Sequence, residues 1–255
     1  MTSIFWTASD IWVMTKRNLL KYTRLPQLLV FSTIQPVMFV LLFAFVFGGA
    51  ITTPGVSYIN YLIPGIIVQA VIFGSVQTGV GLAEDLTRGM IDRFRSLPMA
   101  RSAVLAGRTI SDMVRNVFVV LLMTGVGYAI GFRFQGNILQ SLASMGMAVL
   151  FGFAFSWISA TIGLLVKEIE AAQVAGFIWV FPLVFASSIF VPVESMPDWL
   201  EAFAKHSPIT VTVNTVRALA LDLPVGNNLW LSLLWILGIM AVFVPLAVYR
   251  YRKSV

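Results

Sequence analysis

The chain has 255 residues, 58% of them hydrophobic and only 11% charged, and it contains no cysteine. Soluble domains carry about a quarter charged residues, so this composition excludes the soluble class. The missing cysteines exclude disulfides, thiolate metal sites and cysteine catalysis. The net charge of +6 is not a nucleic-acid signal, because the basic residues sit in short segments between long apolar runs, where they orient a protein against a membrane.

The opening MTSIFWTASD has no basic segment followed by a short apolar core, so no cleavable signal peptide is expected. Ser9 to Arg24 reads as an amphipathic helix along a membrane surface. Arg17, Lys21 and Arg24 form one basic stripe at helical spacing, Ile11, Trp12, Thr15, Leu19 and Tyr22 occupy other faces, and Thr7 with Asp10 resembles a capping pair. Two roles fit it, a juxtamembrane anchor or a partner contact. Pro26 then separates it from the first span or starts that span.

From Gln27 to Ala83, 57 residues contain no Lys, Arg, Asp, Glu or His. One helix of that length would run about 85 Å against roughly 30 Å of hydrocarbon, so the segment folds back. Thr52-Thr53-Pro54-Gly55 is the turn-forming cluster that breaks it. Together with the later uncharged windows this predicts an all-α integral membrane protein, one domain over 1–255, with six spans at about 27–50, 59–83, 106–131, 140–166, 171–190 and 227–249. An N-terminal end inside the cell places fourteen basic residues in the cytoplasm and only Arg133, Lys205 and Arg217 outside. That positive-inside bias predicts cytoplasmic termini at both ends.

The second span runs into an eighteen-residue charged island, Glu84 to Arg101, which holds seven of the 28 charged side chains. Read as a helix, it carries Leu86, Met90, Phe94 and Leu97 on one face and Asp85, Arg88, Asp92 and Arg95 on another. Gly89 supplies a point of close approach, and Leu97-Pro98 stops the helix. A solvated linker needs neither an apolar stripe nor a proline stop, which favours a docking element on the cytoplasmic side.

Between the last two spans, Val191 to Asp222 is too polar to cross a membrane. Ser195 and Pro197 predict one short amphipathic helix bearing Trp199, Leu200 and Phe203, and a second follows over Ile209 to Leu221. The pair dips into the outer interface, either as a structural cap or in contact with cargo.

Catalytic signals are sparse. The lone His206 has no second His or Cys to complete a metal site, and no GxxxxGK[ST], HExxH or GxSxG stretch occurs. The centres of the spans lack ionisable residues, so ion-coupled transport has no evident machinery. Instead Gln69, Phe73 and Gln77 share a face of the second span, and Gln173, Phe177, Phe181, Val184 and Ser188 share a face of the fifth. Such faces line a path for an amphiphile or glue helices together.

Three stretches carry a family resemblance: Glu84-Asp85 through Gly89 to Arg95-Ser96-Leu97-Pro98, then Leu105-Ala106-Gly107-Arg108, and Phe190-Val191-Pro192-Val193-Glu194-Ser195-Met196-Pro197-Asp198-Trp199-Leu200. In order and spacing, the chain resembles the type-2 permeases of ABC transporters, of the daunorubicin-resistance type of drug and lipid exporter. The resemblance implies a bacterial plasma-membrane permease that dimerises, as homo- or heterodimer, and exports a hydrophobic or amphiphilic compound. Two copies of a separately encoded ATPase would bind ATP and Mg, with no cofactor held by this chain. It implies that Glu84–Pro98 is the coupling helix, that Ser9–Arg24 is the connecting helix, and that the second and fifth spans line the path. His206-Ser207-Pro208 departs from the family, which more often has asparagine before the proline. A membrane-embedded lipid-acting enzyme and a non-transporting scaffold are the alternatives from other classes.

Overall fold

The computed structural model describes residues 4–25, 27–53, 55–95, 101–166 and 168–253, and no strand occurs among them. The chain forms α1 (Ile4–Arg24), α2 (Gln27–Leu41) continued by a π-helical stretch over Leu42–Phe47, α3 (Tyr58–Thr87), α4 (Met90–Arg95) and α5 (Arg101–Ala129). It continues with α6 (Ile138–Val166), α7 (Ile169–Phe185), α8 (Asp198–His206), α9 (Pro208–Ala220) and α10 (Asn228–Lys253). Helices α3, α5, α6 and α10 are long and apolar enough to cross a membrane, whereas the apolar stretches Ser32–Phe47 and Ile169–Phe185 are shorter.

Helix α3 is the axis of the bundle. Its most apolar window is 83% buried, against 22% for that of α10, which lies at the periphery. α3 packs most extensively on α6 and also touches α2, α5, α7 and α9. Lipid is as apolar as leucine, so close van der Waals packing rather than water exclusion must hold these helices together. The α3–α6 crossing shows how. Gly79 and Gly163 face each other so closely that a Cβ on Gly163 would strike the Gly79 carbonyl, and one on Gly79 would strike the Ser159 carbonyl. Beside them Ser75 and Ser159 bring their hydroxyls to 3.4 Å.

The bundle has two distinct ends. At one, α1 packs along α5, and Met14, Leu82, Ile91, Leu105, Trp157 and Tyr251 form a small core that also holds the end of α10. At the other, α9 lies across α3 and α6. There Ser207 caps α9 by accepting from the Ile209 N–H, with Pro208 in its first turn.

Several local expectations are corrected. Thr7 and Asp10 lie inside α1, which is already helical at Ile4, and not at its start. Ser195 closes a 3-10 turn, its hydroxyl donating to the Pro192 carbonyl at 2.7 Å, and no side chain caps α8. The charged island is not one helix: α3 runs through Glu84 to Thr87, stops, and α4 begins at Met90. The break is Gly89, whose φ of +65° is the left-handed conformation that terminates helices. Among the described residues nothing lies within 4 Å of where its Cβ would be. Leu97 and Pro98 lie outside the described residues, as do Pro26 and Pro54.

Gly163→Ala is expected to lower the thermal midpoint of the detergent-purified protein, by roughly 1–3 kcal/mol of overpacking. Gly125→Ala, a helical glycine with open space around its Cβ position, leaves the midpoint unchanged.

Candidate functional site

The end of α3 and the flank of α1 are joined by charge. Arg17 Nη2 donates to Asp85 Oδ1 at 2.9 Å, and Lys21 Nζ to Glu84 Oε2 at 2.5 Å. Arg88, one turn beyond, pairs with the second oxygen of Glu84 at 2.9 Å. The basic stripe of α1 therefore engages the first two acids of the island directly, while Arg24 lines the same groove with no acidic partner among the described residues. Phe94 of α4 completes the junction, with the Arg17 guanidinium 4.9 Å from its ring centroid. Ile91 fills the buried position on α4. The apolar stripe drawn through Leu86, Met90 and Phe94 missed it because the break at Gly89 rotates α4 relative to α3. Asp92 and Arg95 fall on α4.

Deeper along α1 and α5 lies a charged cluster that sequence reasoning did not single out. Asp112 is completely buried. Its Oδ1 accepts from the Tyr22 hydroxyl and its Oδ2 from the Thr78 hydroxyl, both at 2.6 Å. Arg108 and Arg115, one helical turn to either side on α5, stand 3.4 and 3.6 Å from the carboxylate. Their guanidinium groups reach further, donating to the α3 backbone carbonyls of Gln77 at 3.1 Å and Gly74 at 2.7 Å. Gly81 makes the room, since a Cβ there would collide with Arg108. Burial, followed by the Asp112 charge, pushes the Tyr22 phenol from 10.0 up to about 12, so it remains a neutral donor at every physiological pH. The signal was present in the sequence as a three-and-four-residue spacing of opposite charges at the start of a span.

Above this cluster, α2, α3 and α7 enclose a cleft of about 580 Å³ whose walls include Gln35, Phe73, Gln77, Gln173 and Phe177. Phe73 meets Phe177 edge-on at 5.7 Å and Phe181 at 5.2 Å between ring centroids. The row continues through Phe185 and Phe190 to Phe39 and Phe43 of α2, each contact between 4.3 and 6.3 Å. Thus four of the eight residues on the two faces singled out in the sequence, Phe73, Gln77, Gln173 and Phe177, come together around one space, with Phe181 adjoining. Gln69 does not join them: it is 1% exposed, and its Oε1 has no partner among the described residues.

Ser188 also lies elsewhere. α7 ends at Phe185, after Pro182, so Ser188 leaves the helical face and enters a junction with α9. Its hydroxyl donates to Asn214 Oδ1 at 3.0 Å. Its carbonyl accepts from the Tyr61 hydroxyl and from Arg217 Nη2, at 3.0 and 2.8 Å. Arg217 is buried, donates also to the Tyr61 carbonyl and to Asn214, and stacks 3.6 Å from the Tyr61 ring centroid. A residue counted from sequence only as an outer charge is in fact the clamp of that end. His206 is exposed at the end of α8.

Residues 9–221, from α1 through α9, match the ABC-2 type transporter family. The chain belongs to that family. It is 33% identical over 253 residues to the daunorubicin resistance ABC transporter permease protein DrrB1 of Streptomyces coeruleorubidus, covering 99% of this chain and 88% of that one. It is 26% identical over 242 residues to the probable doxorubicin resistance ABC transporter permease protein DrrC of Mycobacterium tuberculosis, covering 94% and 87%. To the probable multidrug ABC transporter permease YbhR of Escherichia coli it is 22% identical over 204 residues, covering 79% and 55%. This ABC-2 protein is accordingly a multi-pass membrane permease subunit of an ABC exporter, a family that works with an ATPase partner.

In this permease Asp112→Asn strands two arginines in a buried site and is expected to cost about 3–5 kcal/mol, read as a large drop in thermal midpoint. The Arg17–Asp85 pair is only part-buried. Asp85→Arg alone is expected to destabilise the protein and Arg17→Asp to restore it, with a coupling of about 1 kcal/mol in the double-mutant cycle.

Proposed function

We propose that the whole chain forms one transmembrane domain of six spans, with α2 and α7 joining the four longer helices, and that it provides the translocation path for a hydrophobic or amphiphilic compound. The path is completed by a second permease subunit, identical or related. Two copies of a separately encoded ATPase bind ATP and Mg and supply the energy. The drug-resistance names of the relatives support an amphiphilic drug or lipid as cargo.

The α1 end faces the cytoplasm in this reading. Its support is the gathering there of Arg17, Lys21, Arg24, Arg88 and the tail of α10 with Arg250, Arg252 and Lys253, as the positive-inside bias requires. On this topology α8 and α9 form the outer re-entrant cap. The stretch from Glu84 through α4 to Pro98 is the coupling element against the ATPase, and α1 is the connecting helix beside it.

The observation that carries the reading is the continuity of α3. One unbroken helix bears Glu84 and Asp85, held to α1, and also Phe73 and Gln77 in the wall of the cleft. The separation of Phe73 from Glu84 is only about 16 Å along the axis. A push on α1 or α4 reaches the aromatic wall through backbone alone, without a relay of side chains.

Combined reversal of charge at Asp85, Arg88, Asp92 and Arg95 is expected to cut ATP-driven export more than tenfold and to weaken ATPase association, with membrane insertion intact. Reconstituted vesicles and co-purification measure both; unchanged export and unchanged association would remove the docking role. The chain purified alone is expected to hydrolyse no ATP.

A further inference from the structure

The cleft is not purely aromatic, and its lower part has an unbalanced charge. A second hollow of about 560 Å³ runs between α1 and the ends of α3 and α5. Asn18, Lys21, Leu25 and Arg108 line both spaces, so the two adjoin along these side chains and together make up the groove. Its walls carry five cations, Arg17, Lys21, Arg24, Arg108 and Arg115, and two carboxylates, Glu84 and Asp85. Behind the wall, Asp112 is shared between Arg108 and Arg115. Five cations against three carboxylates leave two positive charges uncompensated.

The hydrogen-bonding account points the same way. Arg17 spends Nη2 on Asp85, while its Nη1 is buried with no hydrogen-bond partner among the described residues; Arg115 likewise keeps a buried Nε with none among them. Arg24, at the rim, has no acid to meet among the described residues. Buried donors without acceptors, in a region of excess positive charge, cost stability until something anionic arrives. A cationic amphiphile would add to the excess. At the far end of the same groove Phe73 and Phe177, continued by Phe181, present ring faces and edges with no charge at all.

We propose that this groove admits an amphiphile with an anionic head, a phosphate or comparable oxyanion. The head lies among Arg17, Lys21, Arg24 and Arg108, and the apolar body lies along Phe73, Phe177 and Phe181. The inference rests on the export reading and narrows its cargo. It also gives the ion pairs a second use: an arriving oxyanion competes with Glu84 and Asp85 for Lys21 and Arg17, so loading of the groove is felt at the junction of α1 with α3.

The test uses the permease–ATPase complex in phosphatidylcholine nanodiscs and probes that share a twelve-carbon tail. Equilibrium binding of radiolabelled dodecyl phosphate is competed with dodecyl maltoside, dodecyltrimethylammonium and inorganic phosphate. Dodecyl phosphate is expected to bind about tenfold or more tighter than the neutral and cationic heads, and inorganic phosphate at equal concentration to displace none of it. Arg24→Gln, at an exposed position with no partner to strand, is expected to weaken binding about tenfold. Lys21→Gln provides a second variant with the same expected direction. Lys16→Gln, exposed on the same helix and outside the groove, is expected to change nothing.

Equal affinity for all heads, preference for the cation, or an Arg24→Gln effect no larger than that of Lys16→Gln overturns the inference. Full displacement by inorganic phosphate also overturns it, by reducing the groove to an anion site without a tail path. Export is judged separately, by ATP-driven uptake into inverted vesicles. Uptake without head selectivity rejects the anionic head alone; head selectivity without any ATP-driven uptake rejects the export reading.

Discussion

A single carboxylate organises one end of this molecule. Asp112 has no exposed surface, yet it stands at the meeting point of three helices, taking a hydroxyl from α1, another from α3 and two guanidinium groups from its own α5. A buried ion earns little net stability, because desolvation offsets most of the attraction, but it is unforgiving of partial disassembly. The helices that supply its partners therefore keep a fixed register. The two arginines extend that register by gripping α3 backbone carbonyls across the room that Gly81 leaves. α1, which otherwise lies on the flank of the bundle, is tied at Tyr22 to the hub and at Arg17 and Lys21 to the end of α3.

The opposite end uses the same physics in another form. Arg217 is buried with no carboxylate beside it in the clamp; three oxygen acceptors and a tyrosine ring take the place of a counter-ion. Its acceptors come from three separate segments, α3, α9 and the chain just past α7, so the clamp exists only when all three are assembled. The two ends are thus both charge-locked, and at the level of the Asp112 lock α3 also packs closely against α6 at Gly79 and Gly163.

Much of this was legible in the sequence, for reasons that differ element by element. Long uncharged windows cut by turn residues located the apolar helices within a few residues, because in lipid only a helix satisfies its own backbone. The basic stripe of α1 and the acids at Glu84 and Asp85 were each visible; that they meet was not, since periodicity within one helix carries no information on its neighbour. Gly89 stands out in the sequence, but that it ends α3 does not, because a glycine's φ is invisible to spacing rules and only the backbone shows it. Asp112 escaped because it lies in the first turns of the span expected over 106–131, where a charge reads as interfacial, and spacing within one helix does not show what packs around it. Ser188 failed because helical spacing was extended three residues past the point where α7 stops.

The aromatic row has a consequence for how the protein changes over time. Its rings sit largely on α2 and α7, the two shorter apolar helices, where Phe45, Val174, Ile178, Phe181 and Phe185 are well exposed. Substitution at such positions disturbs few neighbours, and surface changes generally cost about 0.5 kcal/mol or less. The glycine seam of α3 with α6 and the two buried arginine locks tolerate almost nothing by comparison. Mutation can therefore remodel the outward flanks of these two helices, which adjoin the cleft, while the frame that assembles the molecule stays the same.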